Sequence, residues 1–216
     1  MVRTIIGGLV GGMILFVVGF IFWATPLGEL PFTRTGEAQN AAVQLSLAQN
    51  LTPTGTGAYI IPAHQSAQGA VLYAQGPIAT VYFNTMGYSP DDMSMILPGF
   101  IMALVAGLLM AFGLAAVGGG GRSFASTARL VVLFSLGFCV WEYLATPIFN
   151  HFGWRYWIYA FTAESVSLIL AGLVIARWFL PRAQYEAPAA YQAPPAPAEQ
   201  DEAPPAAAGG TTTSDE

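Results

Sequence analysis

The stretch TIIGGLVGGMILFVVGFIFWAT, residues 4–25, contains no charged side chain and is followed directly by Pro26. About 20 consecutive apolar residues are enough for a helix to cross the hydrocarbon core of a bilayer, so this stretch predicts a transmembrane helix. A cleaved signal peptide is the competing interpretation. We favour an uncleaved helix, because the apolar run exceeds the roughly 7–15 residues of a signal-peptide core and no small-x-small cleavage triplet follows it.

Three further apolar runs predict transmembrane helices at about 97–117, 130–148 and 157–180. The second run follows Ser89-Pro90-Asp91-Asp92, which offers a capping serine, a proline for the first helical position and carboxylates for the positive end of the helix dipole. Pro98 then lies inside this helix, where we expect it to cause a kink. The predicted fold class is an all-α membrane protein with four transmembrane helices.

The composition of the whole chain agrees with membrane insertion, since 55% of the residues are hydrophobic and only 9% are charged. An ordinary soluble domain has about 25% charged residues. All seven basic residues are arginine, which excludes a lysine Schiff base and a phosphate-loop lysine. The one cysteine, Cys139, excludes an internal disulfide and a cysteine zinc site. We therefore expect no catalysis, no cofactor, no metal and no nucleic-acid partner.

The arginines are distributed unequally between the two sides of the predicted membrane. Two of them, Arg34 and Arg155, fall on one side. The other five are Arg3, Arg122, Arg129, Arg177 and Arg182. The positive-inside rule then predicts that both termini are cytoplasmic. Because arginine replaces lysine throughout and alanine and glycine are abundant, we expect a multi-pass protein of a bacterial inner membrane.

Residues 26–92, between the first two spans, predict a small extracytoplasmic α/β cap. A weak helix is expected from Thr35, as its cap, to Leu51, with Ala38, Ala42 and Leu45 on one face. Short strands are expected at Tyr59–Ile61, Val71–Tyr73 and Ile78–Phe83. Because so few elements form only a marginal hydrophobic core by themselves, we expect the cap to pack on the ends of the transmembrane helices.

Residues 181–216 differ from the rest of the chain, with 7 prolines, 11 alanines, six acidic residues and one arginine. This composition buries too little apolar surface to offset the entropy of ordering, so it predicts a disordered cytoplasmic tail. The tail has a formal charge of −5, and the membrane domain, residues 1–180, has six acidic residues and six arginines. The acidity of the protein therefore belongs to the tail alone.

Small residues recur every four positions in the first two spans. Such stripes let helix backbones approach closely in lipid. The first span contains Gly7, Gly8, Gly11 and Gly12, and the second contains Gly99, Ala103, Gly107 and Ala111. The stripes predict either packing within this bundle or a docking face for another subunit or a second copy.

Two carboxylates, Glu142 and Glu164, provide the strongest chemical signal. They lie in the third and fourth spans, roughly 9–11 Å from the outer surface at a rise of 1.5 Å per residue. The short connection between these spans makes them antiparallel neighbours, so both carboxylates could share a site that His151 and Arg155 reach from the loop. This pattern is typical of a proton, cation or ligand site. The alternatives are a structural polar clamp with Arg155, or carboxylates that extend toward the nearby membrane surface.

These observations favour a non-catalytic accessory or assembly subunit of a larger membrane complex, whose partners are the lipid bilayer and another membrane protein or a second copy. The alternative is a small transporter or ligand-binding membrane protein that uses Glu142 and Glu164. Catalysis is the least favoured, because the sequence has no nucleophile, metal or cofactor motif.

Overall fold

The computed structural model describes residues 1–118 and 122–180, and the predicted disordered tail lies outside these ranges. Within them, four helices are long and apolar enough to cross a membrane, which confirms the four predicted runs. These helices are Val2–Trp23, Ile96–Val117, Phe124–Asn150 and Trp154–Phe179. The largest difference from the prediction is the start of the third span, which lies six residues earlier than expected.

The elements are numbered in chain order. They are α1 (Val2–Trp23), α2 (Glu37–Leu51), β1 (Gly57–Ile61), α3 (Ala67–Gln75), β2 (Ala79–Phe83), α4 (Ile96–Gly118), α5 (Phe124–Cys139), α6 (Ala145–Asn150) and α7 (Trp154–Val174). A 3₁₀ turn, Pro26–Glu29, follows α1. One π-helical turn, Val140–Leu144, joins α5 to α6, and a second, Ile175–Phe179, extends α7.

The third span remains helical across Pro147 because the helix widens into a π-helical turn just before this proline. Proline has no N–H, so it cannot donate to the carbonyl of Tyr143 four residues earlier. The Thr146 hydroxyl donates to the carbonyl of Glu142 at 2.7 Å and satisfies a neighbouring acceptor. The π-helical turn Val140–Leu144 covers this region. A π-helical turn holds an extra residue in the helix, which lets the span continue to the end of α6.

Helix α4 begins later than its sequence signal predicts. The Ser89 hydroxyl accepts from the Asp91 N–H at 3.3 Å and the Ser89 carbonyl accepts from the Asp92 N–H at 3.0 Å, so this stretch forms a turn. Asp92 in turn accepts from the Ser94 N–H at 2.8 Å, which lowers the pKa of the Asp92 carboxyl below its ordinary value. The predicted helix start at Ser89 is therefore wrong. Pro98 lies in the first turn of α4, where a missing N–H costs no intrahelical bond.

Helix α1 lies at the centre of the bundle and packs on both α4 and the last span. Gly8 and Gly12 face α4, and a Cβ on Gly12 would lie 2.5 Å from an α4 Cα atom. Gly7 and Gly11 face the last span, and a Cβ on Gly11 would lie 2.5 Å from Ile175 Cδ1. Both glycine faces of α1 are therefore occupied by helices of the same chain.

The small residues of α4 complete this contact. A Cβ on Gly107 would lie 2.2 Å from the backbone nitrogen of Gly12. Ala111 is fully buried and Ala103 is half-buried. Only Gly99 of this stripe differs, because a Cβ added there would meet no atom within 4 Å. The other small residues of this stripe thus pack within the same chain. This favours packing within the bundle over a docking face for another subunit.

The four spans form an arc, with α4 and α5 at its two ends. Helix α7 packs on α1 and on α5, and no comparable contact joins α4 to α5 in the described ranges. An apolar groove of about 480 Å³ lies between them. Its walls, which define the α4–α5 groove, include Met110, Gly113 and Val117 of α4 and Leu130, Phe134 and Phe138 of α5.

The segment between α1 and α4 buries little of its chain. Strands β1 and β2 pair in an antiparallel sheet with Tyr59 opposite Val81, which confirms two of the three predicted strands. The turn Pro26–Glu29 packs against α1, and the Phe32 ring lies 5.6 Å from the ring of Tyr156. The predicted packing of the cap on the helix ends is therefore confirmed for these first residues.

The predicted weak helix is present as α2, but its N-cap residue and its packing differ from the prediction. Its N-cap is Gly36 and not Thr35, whose hydroxyl instead donates to a side chain within the first turns of the helix. The predicted apolar stripe of Ala38, Ala42 and Leu45 is exposed, and no residue of α2 is buried. For α2, the expectation of packing on the helix ends is wrong.

The strand predicted at Val71–Tyr73 is also wrong, because these residues lie in helix α3. The Ser66 hydroxyl caps this helix by accepting from the Gly69 N–H at 3.0 Å. A Cβ on Gly69 would lie 2.0 Å from the carbonyl oxygen of Ala63, so glycine allows the chain to turn tightly there. A short apolar run does not distinguish a strand from a helix, and the cap decides the outcome here.

Candidate functional site

Glu164 lies on α7, in the half of the bundle next to the end where α1 stops and α7 starts, which we call the cap end. Its side chain is half-buried, and Trp23 of α1 lies beside its carboxyl group. Glu164 is about 15 Å along the helix from Trp154. An ionisable group at that depth is costly unless it faces the interior, and Glu164 is half-buried next to Trp23 of α1.

Aromatic rings lie between Glu164 and the cap end. The ring of Trp23 is 5.3 Å from that of Tyr159 and 6.1 Å from that of Tyr156. The Tyr159 hydroxyl donates to the carbonyl of Phe22 at 2.6 Å, which ties α7 to the end of α1. These contacts join α7 to the end of α1 on the cap-end side of Glu164.

Ser165 adds an unsatisfied polar group next to Glu164. Its side chain is 6% exposed, and among residues 1–118 and 122–180 its hydroxyl is the one buried side-chain oxygen without a hydrogen-bond partner. The fully buried thiol of Cys139 lies close to it. By contrast, the Ser167 hydroxyl donates to the Ala163 carbonyl at 2.8 Å. A buried hydroxyl without a partner costs about 1–3 kcal/mol and marks a position where a water or a small ligand would be stabilised.

Glu142 has different surroundings from Glu164. It lies in the π-helical turn Val140–Leu144, and its side chain is exposed. Its position is about 12 Å along the helix from Asn150. In the part of the chain that the structure describes, the one ion pair joins Arg34 to Glu29, so Glu142 has no cationic partner there. One carboxylate thus faces the interior and the other faces outward.

The two basic residues predicted beside the carboxylates lie elsewhere. Arg155 is exposed and lines a separate hollow of about 490 Å³ with Leu27 and Leu30. His151 is exposed and ends α6 in a left-handed conformation with φ of 55°. Within the described ranges neither side chain forms an ion pair with Glu142 or Glu164. A clamp built on Arg155 therefore finds no support in this geometry.

Trp23 is the site residue that the sequence does not indicate. It lies about 140 positions from Glu164, so no local pattern links the two. The topology holds a weaker signal, because α1 and α7 are antiparallel and the end of one must lie level with the start of the other. Trp23 is the last residue of α1 and therefore belongs at the cap end.

Comparison of the chain with protein-family models, with curated proteins and with solved structures gives no match. The chemistry of the site follows from its own groups: one carboxyl, one thiol, one unpaired hydroxyl and several aromatic rings. In the ranges that the structure covers, no group of three or more histidine, cysteine or acidic side chains could hold a metal. This set of groups can bind a proton, a monovalent cation or the polar end of a small ligand.

Proposed function

We propose that the protein is a multi-pass protein of a bacterial inner membrane that acts without catalysis, as an accessory or assembly subunit of a larger membrane complex. Four apolar helices support the membrane assignment. Arginines collect at one end of the spans, opposite the cap, which supports cytoplasmic termini and an extracytoplasmic cap.

The exposed face of α2 is the observation that carries this proposal. Helix α2 has 15 residues and none of them is buried. Leu45 and Val43 are each 58% exposed, although both are large apolar side chains. A helix of about 12–15 residues is marginal in water unless an apolar face packs against something. We infer that a partner protein covers the stripe formed by Ala38, Ala42 and Leu45.

Glu142 supports the same proposal from within the spans. It is exposed on a helix whose other outward residues are large and apolar, including Phe138, Trp141 and Phe149. A carboxylate that faces lipid at this depth is costly, and such groups generally pair with another polar group. A neighbouring subunit that offers a donor at this level would remove that cost.

The proposal is tested by purifying the full-length chain with its partner from host membranes in mild detergent. The double variant Ala42→Glu with Leu45→Glu should lower partner recovery by about 100-fold or more, because unpaired carboxylates in a buried interface cost several kcal/mol. The matched control is Gln44→Glu, an exposed position on the same helix, which should retain the partner. Unchanged circular dichroism would show that all variants fold. If the double variant retains the partner, or if the natural chain elutes alone, the proposal is wrong.

A second candidate function, a proton or cation site in the membrane, is favoured by the unpaired hydroxyl of Ser165 next to Glu164. It is tested with the purified protein in lipid vesicles by measuring proton and sodium uptake. Glu164→Gln should abolish uptake, whereas the control Glu142→Gln should not, because Glu142 lies outside the site. Uptake that is equal in all three proteins, or absent from the natural chain, would remove this candidate.

A further inference from the structure

The two ends of the described spans carry opposite charge. The end away from the cap, which we name the arginine end, has four basic residues and no carboxylate within the described ranges, so its formal charge is +4. Its arginines are Arg3, Arg122, Arg129 and Arg177. The acidic residues of the described ranges all lie toward the cap end: Glu29, Glu37, Asp91, Asp92, Glu142 and Glu164.

The α4–α5 groove extends from the middle of the spans toward the arginine end. On α4 its wall reaches Val117, next to the last residue of the helix, and on α5 it reaches Leu130, about 9 Å from the start of that helix. Arg122 lies in the connection between these two helices and is exposed. The Arg177 guanidinium lies 5.6 Å from the centre of the Phe124 ring, at the first residue of α5. Arg177 thus lies beside the start of the helix that forms one wall of the groove, and Arg122 precedes that start by two residues.

The size and lining of the groove favour a lipid over a protein helix. Its volume of about 480 Å³ is within the 300–1,000 Å³ typical of small-molecule sites. A transmembrane helix is about 10–12 Å across with its side chains, so two turns of it would occupy about 1,000 Å³, which is about twice the volume of the groove. The lining is apolar except for Ser135, and a Cβ added to Gly113 would meet no atom within 4 Å, so the wall has a recess at this point.

We propose that the α4–α5 groove binds one anionic phospholipid, with an acyl chain along Gly113 and Phe134 and its phosphate at Arg122 and Arg177. Guanidinium groups form charge-assisted hydrogen bonds with phosphate oxygens, and basic positions between helices at a membrane surface are typical sites for anionic headgroups. The inference depends on the bundle being in a membrane and is independent of the partner proposed for α2.

The test uses the purified full-length protein and native mass spectrometry, with phosphatidylglycerol and phosphatidylcholine of identical acyl chains as probes. The natural chain should retain phosphatidylglycerol preferentially. Arg122→Gln with Arg177→Gln should lower that preference by about 25-fold, since each basic residue near an anionic headgroup contributes about fivefold. Arg34→Gln, at the cap end, is the matched control and should leave the preference unchanged.

A second pair of variants tests the groove itself. Gly113→Leu fills the recess without a clash and should reduce the binding of both lipids. Gly137→Leu lies on α5 outside the groove lining, also in open space, and should bind like the natural chain. Equal affinity of the natural chain for the two lipids, or normal binding by Gly113→Leu, would overturn the proposal. Cross-linking of a photoreactive residue at position 134 to a protein helix in the native membrane would overturn the proposal as well.

Discussion

The bundle and the cap differ in how their helices are held. In the bundle, backbones meet directly, and Gly12 and Gly107 leave no room for a Cβ atom between α1 and α4. In the cap, α2 has no buried residue and the sheet has two strands. Both regions contain regular helices, so helix formation alone does not indicate stability. The packing energy of the described chain is concentrated in the spans, and the cap leaves apolar side chains of α2 exposed.

Hydrogen exchange should reveal the largest contrast. In the purified single chain, amides of α2 should exchange about 1,000-fold or more faster than those of α1, because local opening of an unpacked helix costs little and opening of a packed span approaches the cost of global unfolding. Mass spectrometry after deuterium labelling in detergent measures both regions in one sample. Protection of α2 as strong as that of α1 would contradict the difference between the two regions.

The next largest effect is expected within α1. Gly12→Val should lower the free energy of unfolding by about 2 kcal/mol or more, because the added atoms would lie within 2.6 Å of the α4 backbone. Gly19→Val is the matched control on the same helix, since a Cβ there meets no atom within 4 Å. Denaturant titration in mixed micelles measures both. Equal losses in the two variants would indicate that the glycines matter for helix propensity and not for close packing.

The smallest effect is expected in the cap. Arg34→Gln removes the ion pair with Glu29, whose side chains are 81% and 66% exposed. An exposed ion pair contributes about 0–1 kcal/mol to stability. The free energy of unfolding, measured by thermal denaturation, should therefore change by less than about 0.5 kcal/mol. A loss well above 1 kcal/mol would mean that the cap is held more firmly than its exposure indicates.

The spans could be predicted because their signals are local: a long apolar run needs no knowledge of its neighbours. The incorrect predictions rest on local sequence signals that are compatible with two different structures. Residues Val71–Tyr73 are apolar and β-prone, yet the capping bond of Ser66 places them in a helix. Ser89 resembles a helix cap but closes a turn with Asp92. In both cases the hydrogen bonds of one serine, which the sequence does not specify, distinguish the two structures.

The candidate site could be predicted only in part. The charge of Glu164 inside an apolar run identifies this residue, and the structure places it half-buried on α7, near Trp23 of α1. Its shared site with Glu142 was inferred from depth, which regular helix geometry provides. The direction in which a side chain points around the helix axis does not follow from its depth. One extra residue in a π-helical turn rotates the side chains that follow it by about 100°. Glu142 lies in such a turn, so its direction could not be read from spacing.

The central position of α1 has a consequence for the order of assembly. Synthesis proceeds from the N-terminus, so α1 is made before α4 and before the last span. Its Gly8 and Gly12 face is covered only when α4 has followed, and its Gly7 and Gly11 face only when the last span, through Phe179, is in place. Until then both faces must lie against lipid or an insertion factor. The bundle therefore closes in two stages, and the second stage needs the last span in place.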